Sequence, residues 1–350
     1  TQTRLLAPGY RETLLPAPAH LSDAAQTLER TLGLSAWDLA VLQHAPQEPC
    51  LRQTLAERLD GIDFVVCAHP YLYPLLDGLW HGPLLYDAHN VERDLKAAML
   101  PDIPETHALL SALEAAEGTL ARRARLVLAC SAEDAERLAA LYEVDPTALT
   151  LVPNGVAPDP HLPLTPAERQ ALRERLGLAE HRLGLFIGSH HPPNVEAVRH
   201  LHALAPACPG WTFVVVGSVA HDSSLAAPPP NVLHTGPVPE REKRLWLAIA
   251  DLAVNPMTSG GGTNLKLPEY AAAGLPILTT PFGRRGQPLE PGEHCLEAPL
   301  DAFPQILAQL PLPDELAALA RRARARVLER LDWRVVVQHA WEAIQAKLTP

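Results

Sequence analysis

The segment DLAVNPMTSGGGTNLKLPEYAAAGLP, from Asp251 to Pro276, carries the groups best suited to chemistry. An apolar run breaks at Pro256, the triplet Gly260, Gly261 and Gly262 follows, and Lys266 and Glu269 fall in the first turns of a helix expected from about Thr263. A glycine loop feeding a helix start gathers unpaired backbone N–H groups and the positive end of a helix dipole, which suits an anionic diphosphate. Glycines let that backbone approach phosphate closely. A carboxylate three residues after the lysine suits paired sugar hydroxyls, because each carboxylate oxygen only accepts. The segment reads as a nucleotide-sugar pocket.

Lysine is scarce, occurring only at Lys96, Lys243, Lys266 and Lys347, so one inside the glycine motif carries weight. The chain has 350 residues, and Asp plus Glu outnumber Lys plus Arg by 40 to 29, a net charge of −11. That balance excludes a general nucleic-acid surface and makes any phosphate site local. Hydrophobic residues at 47% and charged ones at 20% fit a globular enzyme large enough for two domains. The cysteines, Cys50, Cys67, Cys130, Cys208 and Cys295, are scattered without a CxxC pair and are expected to be reduced thiols in a cytoplasmic protein. Neither a membrane-spanning run nor a signal peptide is evident, so the expected location is cytoplasmic, with at most a peripheral contact at the inner face of a membrane. The start at Thr1, running straight into LLAPGY, is expected to be the middle of a domain.

Positioning these groups requires a scaffold of parallel strands. Apolar runs at 64–67, 84–86 and 126–129 alternate with helical stretches, and Ser131 with Asp134 three residues on predicts a helix N-cap. After Leu151, the turn Val152-Pro153-Asn154-Gly155 opens a proline-rich stretch to Pro166, which marks a hinge. The pattern then restarts, with strands at 183–187, 212–216, 252–255 and 277–279 and helices from Asn194, near 241–249 and from about Thr263. Two α/β domains of Rossmann-like type follow from this: residues 1–153 and residues 154–331, with helices at 316–331 and 333–348 closing the chain. The arginines of the first closing helix, from Arg321 to Arg330, read as a solvated face.

Taken in order, VPNGV at 152–156, FIGSHHPPN at 186–194, VVVGS at 214–218, the Asp251–Pro276 segment and TTPFGRRG at 279–286 resemble the second domain of family 4 glycosyltransferases. The resemblance continues upstream through YDAHNVE at 86–92 and VLACSAEDA at 127–135. It implies a glycosyltransferase-B fold: two facing Rossmann-like domains, with the donor on residues 154–331 and the acceptor on residues 1–153, whose first strand and glycine loop are expected to be missing. Residues 332–350 are implied to be a crossover helix packing on the N-terminal domain, with Trp333 as its anchor. The implied activity is retaining transfer of a sugar from a nucleoside-diphosphate donor to a glycan or lipid-linked acceptor, in polysaccharide or cell-envelope biosynthesis. No metal or other cofactor is implied, and the chain contains no Asp-x-Asp pair.

The resemblance assigns Glu269 to the ribose hydroxyls and His89 to the donor sugar, while the position of Lys266 at the helix start suits it to the leaving diphosphate. It extends the donor site to Gly188, Ser189, His190, Asn194, Gly260, Gly261, Gly262, Thr263, Asn264 and Leu265. His69, at the end of the 64–68 run, is expected to face the acceptor. The pattern departs at two places. Its first glutamate, eight residues before Glu269, is replaced by Gly261, and the arginine and lysine that follow the first-strand glycine are replaced by Ser189-His190-His191-Pro192-Pro193-Asn194. Lys266 is expected to compensate, assisted by His190 or Arg285. Adjacent His190 and His191 read as loop hydrogen-bonders and not as metal ligands. Two other readings stay open: a sugar-nucleotide or glycan-binding protein of this fold that does not transfer, and a nucleotide-sugar epimerase.

Overall fold

The computed structural model describes residues 2–261 and 263–348. The chain divides into two compact units, one of Thr1–Val152 with Ala340–Pro350 and one of Pro153–His339.

In the first unit, β1 (Gln2–Ala7) and β2 (Tyr10–Leu14) form an antiparallel hairpin turned at Gly9, which sits at φ +78°. The main sheet is parallel, in the order β3 (Val65–Ala68), β4 (Leu84–Ala88), β5 (Leu126–Ala129), β6 (Leu149–Leu151). Its central strands are buried on both faces, so they are apolar at every position except Asp87 and alternate between two cores. Tyr86 and Ala88 of β4, with Val127 and Ala129 of β5, point into one core. Leu85, Leu126 and Leu128 point into the other, where they meet Ala343, Ile344 and Leu348. Those three belong to the last turns of the helix Trp333–Leu348. The helix is shared, with its first turns in the second unit. Ser131 caps the helix Ala132–Tyr142 by accepting from the Asp134 N–H at 3.0 Å.

The second unit is built on a six-stranded parallel sheet ordered β12 (Leu296–Glu297), β11 (Ile277–Thr279), β10 (Leu252–Asn255), β7 (Arg182–Ile187), β8 (Trp211–Val216), β9 (Val232–Gly236). Alternate residues of β8 divide between two cores: Val214 and Val216 enter one, Trp211, Phe213 and Val215 the other. From β7 the chain builds outward to β9, then returns to β7's other side with β10. The strand order therefore reverses between β7 and β10, where open α/β sheets leave a crevice at the carboxyl ends of the strands. The PNGV turn is tied to the end of the helix Pro313–Leu331: Val156 N–H donates to the Leu331 carbonyl at 2.7 Å, and Gly155 lies under the Trp333 ring. A Cβ on Gly155 would come within 2.5 Å of that ring.

Candidate functional site

A pocket of about 380 Å³ opens at that reversal point, lined by Ile187, Gly188, Ser189, His191, Pro193, Asn194, Met257, Ser259–Gly261, Thr263–Lys266, Glu269 and Arg285. β7 delivers Gly188 and Ser189, β10 delivers the glycine loop, and the helix Lys266–Ala272 delivers Lys266 and Glu269. Two close approaches shape its wall. Gly217, at φ +111°, sits against the Gly188 carbonyl, where a Cβ would come within 2.2 Å, and the buried Tyr270 hydroxyl accepts the Ile187 N–H at 2.8 Å.

The glycine loop is held from several directions. Glu196 accepts from Thr258 at 3.1 Å and also from Ser259, so its carboxyl lies below the usual range, chiefly through the Ser259 hydroxyl. Arg285 stacks on Phe282 and donates to the Gly260 carbonyl at 2.9 Å. Asn154 donates to Thr263 at 3.1 Å, and Asn264 donates to the Gly283 carbonyl at 3.1 Å. A loop held by these contacts loses less conformational entropy when a ligand binds.

Lys266 is the electrostatic centre of the pocket. Its Nζ donates to Asn194 Oδ1 at 2.8 Å, touches the Met257 sulfur at 3.7 Å and lies 4.8 Å from the centre of the buried Phe186 ring. No carboxylate pairs with it among the described residues. Burial without a counter-charge pushes its ammonium down to about 8. A desolvated cation without a carboxylate partner in a concave wall makes this pocket a candidate anion site.

Glu269 lines the same pocket, but its Oε1 lies 2.7 Å from Lys243 Nζ, a partner that the spacing of the motif gave no sign of. Burial opposes the Lys243 charge, yet hydrogen bonds to Glu269 and Glu240 outweigh it and hold that ammonium above its usual value. The Lys243 contact therefore orients the carboxylate.

Three expectations need correction or limit. His190 is not in the lining: its ring goes to Asp222 Oδ2 at 2.7 Å and its N–H to Ser218 at 2.8 Å, while His191 lines the pocket instead. Asp222 is held down to about 2, first by the Ser224 hydroxyl and then by His190. The helix begins at Lys266, later than Thr263, and runs only seven residues to Ala272. A two-turn helix has a weak macrodipole, and the glycines precede its first turn, so Lys266 and the loop amides carry the positive field. Gly262 lies outside the described residues.

In the first unit, His69 and His89 each follow the carboxyl end of a parallel strand, β3 and β4. Their rings lie side by side, with centres 4.4 Å apart. His89 Nε2 meets Asp87 Oδ2 at 3.2 Å, and that bond, against opposing burial, raises its imidazole above the usual range. Glu92 is 3% exposed and meets His69 Nδ1 at 2.9 Å. No group of three or more His, Cys, Asp or Glu is placed to hold a metal among the described residues. No helix there is long and apolar enough to cross a membrane.

Comparison with known proteins follows the same division. The family model described as Glycosyltransferase Family 4 matches residues 3–160, and that described as Glycosyl transferases group 1 matches residues 181–310. The D-inositol 3-phosphate glycosyltransferase of Xylanimonas cellulosilytica is 28% identical over 264 residues, 65% of this chain and 58% of that protein. The protein of the same description from Geodermatophilus obscurus is 34% identical over 156 residues, 43% of this chain and 33% of its own length. The chain thus spans a third to somewhat over half of these relatives. Among solved structures, Anabaena HepE in complex with UDP and glucose superposes with a TM-score of 0.66 at 17% identity, over 87% of this chain and 83% of that one. Sucrose-phosphate synthase of Thermosynechococcus elongatus gives 0.66 at 16% identity, over 98% of this chain and 85% of that one. The chain belongs to the group 1, family 4 glycosyltransferases and has the glycosyltransferase-B fold, built from Rossmann-like units.

Proposed function

We propose that the chain transfers a sugar from a nucleoside-diphosphate donor to a hydroxyl-bearing acceptor, with the donor's diphosphate seated at Lys266. The observation that carries this is the unpaired Lys266 ammonium among the constrained Gly260–Gly261 loop, Ser189 and Asn194. Glu269, oriented through Oε1 by Lys243, takes the ribose hydroxyls. UDP is the first donor nucleotide to test, since HepE is described with UDP and glucose. The acceptor is a polyol or glycan, in line with the inositol phosphate named for the Xylanimonas relative, in envelope or polysaccharide assembly at the cytoplasmic face of a membrane.

In the proposed reaction the bond between the sugar's anomeric carbon and the phosphate oxygen breaks, and the phosphate keeps the electron pair. Fixed dipoles and Lys266 stabilise that growing charge. The acceptor oxygen attacks the anomeric carbon from the same face, and its proton passes to a phosphate oxygen of the leaving group, so configuration is retained and no metal takes part. Product of inverted configuration contradicts this step.

A thermal-shift panel of UDP, GDP and uridine, repeated on Lys266→Ala and Glu269→Ala, tests the site. The expected result is stabilisation by a diphosphate, lost in the lysine variant. A response to uridine equal to that of UDP, or one indifferent to both substitutions, contradicts it. Gly261, standing where the family pattern has a glutamate, favours a second reading, a sugar-nucleotide binder without transfer. Hydrolysis of UDP-sugar by the protein excludes that reading.

A further inference from the structure

The first unit contains a hydrogen-bond network that the donor pocket does not use. Its centre is Glu92, the first residue of the helix Glu92–Met99 and almost wholly enclosed. Its carboxylate meets His69 Nδ1 at 2.9 Å, the Tyr71 hydroxyl at 2.6 Å and Asn90 Nδ2 at 3.2 Å. Burial alone would favour the protonated acid, but these bonds outweigh it and hold Glu92 below the usual range. The group is therefore a carboxylate, and a carboxylate only accepts. His69 Nδ1 must then carry a proton, and in the neutral ring Nε2 keeps its lone pair. No hydrogen bond engages Nε2 among the described residues, and the side chain is 40% exposed.

The backbone gives a second, independent sign. His69 sits at φ +68°, in the left-handed region that a non-glycine residue occupies at a cost, and such strain persists where surrounding contacts impose it. Its N–H is tied to the Asp87 carbonyl at 3.3 Å. The ring is thereby placed against His89, whose Nε2 is turned toward Asp87. With Nε2 of His89 donating to that carboxylate, Nδ1 is the remaining ring nitrogen, a donor whenever the ring is charged.

We propose that Glu92 and Tyr71 are positioning residues that lock His69 in its Nδ1–H tautomer, so that His69 Nε2 and His89 together offer an acceptor and a donor to neighbouring hydroxyls of a sugar or cyclitol. A hydroxyl is donor and acceptor at once, so an adjacent pair of hydroxyls on a ring satisfies both imidazoles, whereas a phosphate, which only accepts at its charged oxygens, satisfies one. The inference rests on the transfer reading for the meaning of the site, as the place where hydroxyls of the substrate are held. It does not rest on the donor pocket.

The test is imidazole nitrogen NMR on the full chain labelled with 15N-histidine, titrated with myo-inositol and, separately, methyl α-D-glucoside. In the unliganded protein the His69 signals are expected to report Nδ1–H and bare Nε2, and either polyol is expected to shift the His69 Nε2 and His89 signals. Tyr71→Phe, which keeps the ring and removes one bond to Glu92, is expected to weaken polyol binding about 3- to 10-fold, in line with one hydrogen bond. It also mixes the two His69 tautomers. A merely structural network leaves binding unchanged in Tyr71→Phe and gives no titration shift. An Nε2–H tautomer in the wild type, or silence at both histidines with both polyols, overturns the proposal. Loss of the UDP response with these shifts intact contradicts the donor assignment and leaves this one standing.

Discussion

Replacing Lys266 by methionine separates what this residue costs the fold from what it gives the ligand. The ammonium falls from 10.5 to about 8 because burial strips its water and no acid replaces it. At ~1.4 kcal/mol for each factor of ten, that fall amounts to about 3 kcal/mol. The side chain is only partly enclosed, so solvent screening reduces the cost to about 1–2 kcal/mol. Methionine keeps the apolar stem against Phe186 and Met257 and removes the charge. Unliganded Lys266→Met is therefore expected to melt about 2–8 °C higher than wild type at pH 7. The sign of the pH dependence follows from the same quantity. Between about 8 and 10.5 the unfolded chain binds the proton that the folded one has lost, so wild-type stability rises with pH across that window and the advantage of the variant shrinks. Binding runs the other way. A charge-assisted bond to diphosphate is worth ~1.5–3 kcal/mol, so the variant is expected to bind UDP about 10- to 150-fold more weakly, and wild-type affinity is expected to fall above pH 8 as the free ammonium deprotonates. Calorimetric titration with UDP and scanning calorimetry at pH 7 and pH 10 measure both. A variant that melts lower than wild type when unliganded, or binds UDP equally well, refutes the reasoning.

Glu269→Ala is expected to weaken UDP about tenfold while leaving inorganic pyrophosphate unaffected, because the carboxylate serves the ribose; equal loss for both ligands would show that it acts through the loop instead. Glu117 is fully buried and accepts the N–H groups of Glu92 and Arg93 and the hydroxyls of Tyr86 and Tyr142. Glu117→Gln turns an amide donor toward those donors and is expected to cost about 1–3 kcal/mol in urea unfolding, an unchanged midpoint being the contrary result. Gly217→Ala places a methyl 2.2 Å from the Gly188 carbonyl at a φ of +111°. A loss of about 2 kcal/mol or more, with weaker UDP binding, is expected, and wild-type values for both measures would count against Gly188 as a pocket wall.

The strands and the donor loop were legible because each is a local signal. Val65–Ala68, Leu84–Ala88 and Leu126–Ala129 are short apolar runs between amphipathic stretches, and the spacing of Gly260, Lys266 and Glu269 along one loop survives folding as one wall of the pocket. The hairpin Gln2–Leu14 and the helices Ala19–Leu32 and Trp37–His44 were not anticipated. The hairpin exposes Leu5 at 67% and Tyr10 at 59%, so its apolar residues give no core pattern to read. Partners distant in sequence were equally invisible: Lys243 to Glu269, Asn194 to Lys266 and Tyr71 to Glu92 are brought together only by the sheet. The His190 ring is likewise engaged by Asp222, thirty-two positions on. The helix that was expected at Thr263 starts three residues later, at Lys266. The intervening Thr263 and Asn264 are held by Asn154, Gln287 and Gly283 in a non-helical loop.

The central claim is that one desolvated ammonium and a pinned glycine loop form the seat of a nucleoside diphosphate. A crystal structure of the chain with UDP tests it most directly. The pyrophosphate is expected within hydrogen-bonding distance of Lys266 Nζ and of the amides of Gly260, Gly261 and Thr263, with the ribose at Glu269. UDP bound at any other place on the second unit, or bound here with Lys266 still turned only to Asn194, contradicts it.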